Sequence, residues 1–106
     1  MSKYLIIANY SAEGVKGVMA VGGSARKTAV ESSIAQLGGS VESFYFGFGE
    51  GDAYVVVDLP DNVAAASIGL QVGASGMAAT RTIVLLTPEE IDRAVQAPSV
   101  YRPPGS

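Results

Sequence analysis

Between Phe44 and Leu59 the chain reads FYFGFGEGDAYVVVDL, two β-prone runs joined by a Gly-Glu-Gly-Asp turn. Successive side chains of a strand point to opposite faces, so a strand with one wet face alternates apolar with polar residues. This hairpin does not alternate. On its second strand Ala53, Val55, Val57 and Leu59 take one face, while Tyr54 and Val56 take the other. On its first strand, read from Ser40 to Phe48, Phe44, Phe46 and Phe48 share a face opposed by Val41 and Tyr45. Both faces need cover, which restricts the chain to folds in which a sheet is packed on two sides. In 106 residues the elements for a second covering layer are scarce, and that cover is expected from another subunit.

The rest of the chain supplies one layer. Tyr4 to Tyr10 reads as a strand, again apolar on both faces. The run after it, SAEGVKGVMAVGG, places Val15, Val18 and Met19 at helical spacing, but Gly14 and Gly17 each cost roughly 1 kcal/mol of helix propensity, so the expected helix is short and marginal. Gly22-Gly23 breaks it and Ser24 is the expected N-cap of the main first helix, whose stripe of Val30, Ile34 and Leu37 ends at Gly38-Gly39. After the hairpin, Pro60-Asp61-Asn62 stops the strand and Asp61 caps a helix carrying Val63, Ala66, Ile68 and Leu70. A last strand spans Met77 to Leu86. Thr87-Pro88-Glu89-Glu90 then combines a threonine cap, a proline at the first helical position and a glutamate three residues after the cap. That helix runs to about Gln96, and residues 97–106, with Pro98, Pro103 and Pro104, form an extended tail.

Strand, helix, strand, strand, helix, strand is the order of a ferredoxin-like βαββαβ sandwich, an α+β fold with helices on one face of an antiparallel sheet, here with an additional C-terminal helix and a single domain over residues 1–106. The uncovered face then meets a second copy, giving a homodimer or higher homo-oligomer.

Composition removes several functions. A net charge of −3 provides no basic field for a phosphate backbone, so nucleic acid is not an expected partner. No cysteine means no disulfide, thiolate metal site or cysteine nucleophile, and no histidine means no Ser-His-Asp triad and no zinc site of the usual kind. No cofactor and no metal are expected. The short N-terminal apolar run Tyr4 to Ala8 fits neither a signal peptide nor a membrane span, and a cytoplasmic protein is the expectation.

Several stretches together resemble the GYD family of small α/β proteins, within the dimeric α/β-barrel group: EGVKG (Glu13 to Gly17), GGSAR (Gly22 to Arg26), LGG (Leu37 to Gly39), FYFGFGEGD (Phe44 to Asp52), VDLPDN (Val57 to Asn62), LLTPEE (Leu85 to Glu90) and YRPPG (Tyr101 to Gly105). The name-giving Gly-x-Tyr-Asp is met at Gly49 and Asp52, with Gly51 in the place of the tyrosine. The resemblance implies a fold and self-association; it implies no particular reaction.

Candidate chemistry is sparse. Gly22 to Lys27 opens a helix where free N–H groups, Ser24, Arg26 and Lys27 favour an anion, although the P-loop spacing is absent. Glu50 and Asp52 are either a carboxylate pair or ordinary turn residues beside glycine. Asp58 and Arg81 are charges inside apolar strands, which pair, face a pocket, or, for Asp58, sit at an exposed strand end. Tyr10, Tyr45 and Tyr54 offer apolar rings with polar tips, suited to a pocket or to an interface. Tyr101 to Pro104 either docks on a neighbouring subunit or hangs loose. The leading expectation is a homo-oligomeric binder of a small anionic or aromatic molecule. One rival is a cofactor-independent monooxygenase- or isomerase-like enzyme, by fold analogy alone; another is a structural assembly subunit with no ligand. A pocket with a buried carboxylate of strongly raised pKa favours the enzyme, a pocket without one the binder, and no pocket the structural subunit.

Overall fold

A computed structural model describes residues 1–105; Ser106, the end of the expected tail, lies outside the described residues. The elements are β1 (Ser2–Tyr10), α1 (Ala12–Val21), α2 (Gly23–Gln36), β2 (Ser40–Phe46), β3 (Ala53–Leu59), α3 (Asn62–Ser75), β4 (Ala78–Leu85) and α4 (Pro88–Val95). The strands form one open antiparallel sheet in the order β2-β3-β1-β4. Strand β1 lies between two strands that follow it in sequence, which is the ferredoxin-like arrangement the element order implies.

Caps set most helix starts. Ser11 Oγ accepts from Gly14 N at 3.2 Å to begin α1, and Asp61 Oδ1 accepts from Ala64 N at 2.9 Å to begin α3. At α4 the expected box is complete: Glu90 N donates to Thr87 Oγ1 at 3.1 Å, and Thr87 N donates to Glu90 Oε1 at 2.9 Å. The start of α2 differs from expectation. Helix α1 continues to Val21 and leaves only Gly22, at φ 85°, to reverse the chain into α2. Only glycine adopts that conformation without a steric penalty, and α2 has no side-chain cap. Ser24 therefore lies inside the helix, where its carbonyl accepts from Thr28 Oγ1 at 3.1 Å.

The register assigns the faces. Tyr4, Ile6, Val55, Val57 and Leu59 point to the helices and form the core with Ile34 of α2 and Ala65 of α3. Tyr4, although buried, keeps its hydroxyl satisfied by donating to Asn62 Oδ1 at 2.6 Å, which ties β1 to the start of α3. In β2 the ladder shifts between Val41 and Ser43, a bulge that places Glu42 out of register. Val41 consequently joins Phe44 against the core instead of opposing it as strict alternation requires. Strand β2 also stops at Phe46, so Phe48 belongs to the loop and is fully exposed.

The other face has no helix on it. Leu5, Val56 and Ile83 lie in one row across β1, β3 and β4, with Ile7, Tyr54 and Arg81 in the next row and Tyr45 beyond Tyr54. Ile83 is 45% exposed and Tyr45 71% exposed, so this apolar face is open within the chain. Helix α4 adds nothing to the core either. It leads into the tail as an arm, and the radius of gyration, 16.8 Å, exceeds the value of about 13 Å for a compact domain of this length.

Candidate functional site

A cleft lies on the helix side of the sheet, at the end of the core where the strands carry small residues. Ala8 of β1 pairs with Ala53 of β3 on one side and Thr80 of β4 on the other, and Tyr10 pairs with Ala78. All these positions point toward the helices, so a row of short side chains crosses the sheet beneath α2 and α3. Space remains where larger residues fill the layer elsewhere. An inner cavity of about 70 Å³ sits there, walled by Ile6, Val30, Ile34, Phe44, Val55 and Ile68. It continues outward into an open groove of about 420 Å³ bordered by α1, the end of α3 and the start of β4. Tyr10, Arg26, Val72 and Ala78 line both spaces and so mark the passage between them.

The polar inventory of this cleft is short. Tyr10, Arg26 and Thr80 are the polar side chains that line the inner cavity. Arg26 projects from the first turns of α2, and its Nε is buried with no hydrogen-bond partner among the described residues. A buried guanidinium N–H without an acceptor is costly, because the group loses water and gains nothing in return. Glu13 lines the outer groove only, and it accepts from Lys16 Nζ at 3.3 Å across one turn of α1.

Of the residues singled out from sequence, the fold brings Tyr10 and Arg26 together in the cleft. Ser24 is exposed on α2. Tyr45, Tyr54, Asp58 and Arg81 lie on the open face of the sheet, away from the cleft. Asp58 and Arg81 do not pair with each other. Asp58 Oδ1 instead accepts from Lys3 Nζ at 2.9 Å, and Glu42 binds the same ammonium at 3.1 Å. These two carboxylates, Asp58 first, raise the Lys3 pKa above its ordinary value.

The loop of residues 47–52 is fastened to the end of β1. Asp52 Oδ2 accepts from Tyr10 N at 2.8 Å, and the Glu50 carbonyl accepts from Asn9 Nδ2 at 2.6 Å. Gly51 N donates to the Tyr54 hydroxyl at 3.1 Å. A Cβ on Gly51 would stand 2.6 Å from Ile7 Cγ2 and 2.9 Å from the Tyr54 hydroxyl. The loop thus folds onto the open face at Ile7, and Tyr54 takes up the space that a side chain at position 51 needs.

Sequence reasoning missed Ala8, Ala53, Ala78 and Thr80, which make the cavity by being small. Each is ordinary in a strand; only their alignment across three strands carries information, and alignment requires the register.

Among the described residues no group of three or more His, Cys, Asp or Glu side chains is arranged to hold a metal ion, and no helix is long and apolar enough to cross a membrane. No curated protein and no solved structure matches the chain. A family model described as GYD domain matches residues 4–95, ending at the last residue of α4 and leaving YRPPG outside the match. With that match spanning every helix and all of the sheet but the first two residues of β1, the chain belongs to the GYD domain family.

Proposed function

We propose that this protein is a small-molecule binding module of the dimeric α/β-barrel kind, which self-associates through its open sheet face and holds its ligand between helices and sheet. The observation that carries the reading is the cleft itself: an apolar cavity with one cation, Arg26, at its mouth and a buried Nε that has no acceptor among the described residues. Ligand sites combine an apolar lining with a few convergent polar groups, and this cleft has that composition. Neither Asp nor Glu lines the inner cavity. An acid–base enzyme without histidine works through a carboxylate, lysine or tyrosine, and of these the inner cavity offers Tyr10 alone among the described residues, so binding is favoured over catalysis. A subunit with a purely structural role needs no cavity.

Native mass spectrometry of protein purified without refolding tests this reading. A retained small molecule is expected on the unaltered chain. It is expected to be lost from Ala8→Leu, which fills the inner cavity from β1. Spectra of the two proteins that differ only by the substitution mass would count against the binder.

A further inference from the structure

Resting on the proposed binding role of this cleft, the geometry points to a class of ligand: we infer that the site takes a small aliphatic carboxylate, with its head on Arg26 and its tail in the inner cavity. Three features carry this. Arg26 is the one charged residue lining the inner cavity, and its Nε lacks an acceptor among the described residues. A guanidinium engages a carboxylate through two parallel N–H donors, and a side-on approach uses Nε together with one terminal nitrogen. The Arg26 Nε, enclosed and without an acceptor among the described residues, is the donor such a carboxylate would satisfy.

The second feature is size. The inner cavity, about 70 Å³, is less than half the ~150 Å³ of an apolar cavity that takes up benzene. On that scale the space takes an alkyl segment of about three carbons, whereas a phenyl ring or a longer chain overfills it. The third is lining chemistry. Beyond Tyr10, Arg26 and Thr80, which line the cavity, its walls are apolar, so the buried part of a ligand carries few hydrogen-bonding groups of its own. An unbranched acid satisfies all three, with the polar head toward the open groove and the alkyl chain inward.

The test uses butanoate, butan-1-ol, butylamine and benzoate as probes, each titrated into the ¹⁵N-labelled full chain by NMR. Butanoate is expected to shift the amides of Ala8, Arg26 and Thr80 and to bind at least about tenfold more tightly than butan-1-ol, as a charge-assisted pair predicts. Benzoate and butylamine are expected to bind more weakly than butanoate. Arg26→Met should erase the advantage of the acid over the alcohol while leaving alcohol binding intact, and Arg26→Lys should restore only part of it because the planar fork is gone. Equal affinity for acid and alcohol in the unaltered protein, or tighter binding of benzoate, overturns the inference and leaves the binder standing. Failure of every probe to shift the cleft amides overturns both. The acid–alcohol comparison needs no variant, so it decides the matter even where a substitution at Arg26 perturbs folding.

Discussion

Two glycines in α1 look alike in sequence and differ in consequence. Gly14 is buried where α1 meets β4: the Met77 carbonyl accepts from both Ser11 N at 2.9 Å and Ser11 Oγ at 3.1 Å, and a Cβ on Gly14 would overlap that same oxygen. Nothing lies within 4 Å of a Cβ on Gly17. Backbone cannot rotate aside as a side chain can. Gly14→Ala is therefore expected to lower stability by about 1–2 kcal/mol, overpacking outweighing the helix-propensity gain, whereas Gly17→Ala is expected to raise it by about 0.5–1 kcal/mol. Urea midpoints at unchanged slope check both, and a stabilising Gly14→Ala would refute the close approach. Propensity charged the two glycines equally, because the carbonyl that separates them is more than 60 residues away in sequence. Arg26 presents the same limit. Its type and position at a helix start were legible, but its place beside an apolar cavity, with Nε buried, depends on β1, β3 and β4 arriving beneath it.

Elements were read more securely than faces, because caps and glycine stops act within a few residues whereas register does not. The Thr87 box, the Asp61 cap and the strand order were all legible; the β2 bulge, which moves Val41 to the core side, and the Gly22 reversal were not, since both depend on what the neighbouring element does. The Thr87 box permits a local test, because no residue of α4 is buried in the core and fraying there proceeds without global unfolding. Glu90 accepts from the Thr87 backbone N–H, and that bond, chiefly, holds its carboxyl below the ordinary value of 4.5. A depressed carboxylate pKa stabilises the structure fully above the unfolded value, and that contribution is lost as pH falls through the folded value. Protection of the first-turn amides of α4 against exchange is thus expected to be constant above about pH 5 and to decline below pH 4.5. Thr87→Ala should speed exchange of the Glu90 amide about fivefold at neutral pH, as the loss of an N-cap implies. Glu90→Gln keeps the reciprocal bond with a neutral amide and should flatten the pH dependence. A pH-dependent decline that persists in Glu90→Gln would assign the effect to another group.

At the scale of the whole molecule, two apolar features have no cover among the described residues: the outer sheet face around Leu5, Val56 and Ile83, and the arm that begins with α4, where Ile91 and Val95 sit one turn apart and are both exposed. The hairpin's second apolar face is legible in the sequence, where it implies a partner; the structure leaves that face without a helix and does not reassign it to the core. A stable pair of subunits buries on the order of 1,200–2,000 Å² in total, which a four-stranded sheet face supplemented by an arm can provide. The face is not uniformly apolar. Lys3 is engaged by Asp58 and Glu42 near one end, while Arg81 stands opposite Ile7 with no salt bridge among the described residues, so association through this face also has to place an acceptor or water beside one guanidinium per subunit. Light scattering on the eluting protein is expected to give at least twice the chain mass. Ile83→Lys puts an ammonium in the middle of the apolar row at a position already 45% exposed, so the isolated subunit should fold unchanged while self-association weakens by more than about 100-fold, the cost of enclosing an unpaired charge. Lys at Gln36, an exposed residue at the end of α2 on the far side of the sheet, should leave the mass as it was. An unaltered chain that elutes at single-chain mass across the micromolar range would mean that this sheet works with one face in water, and that the double-sided apolar pattern answers to something other than a second copy.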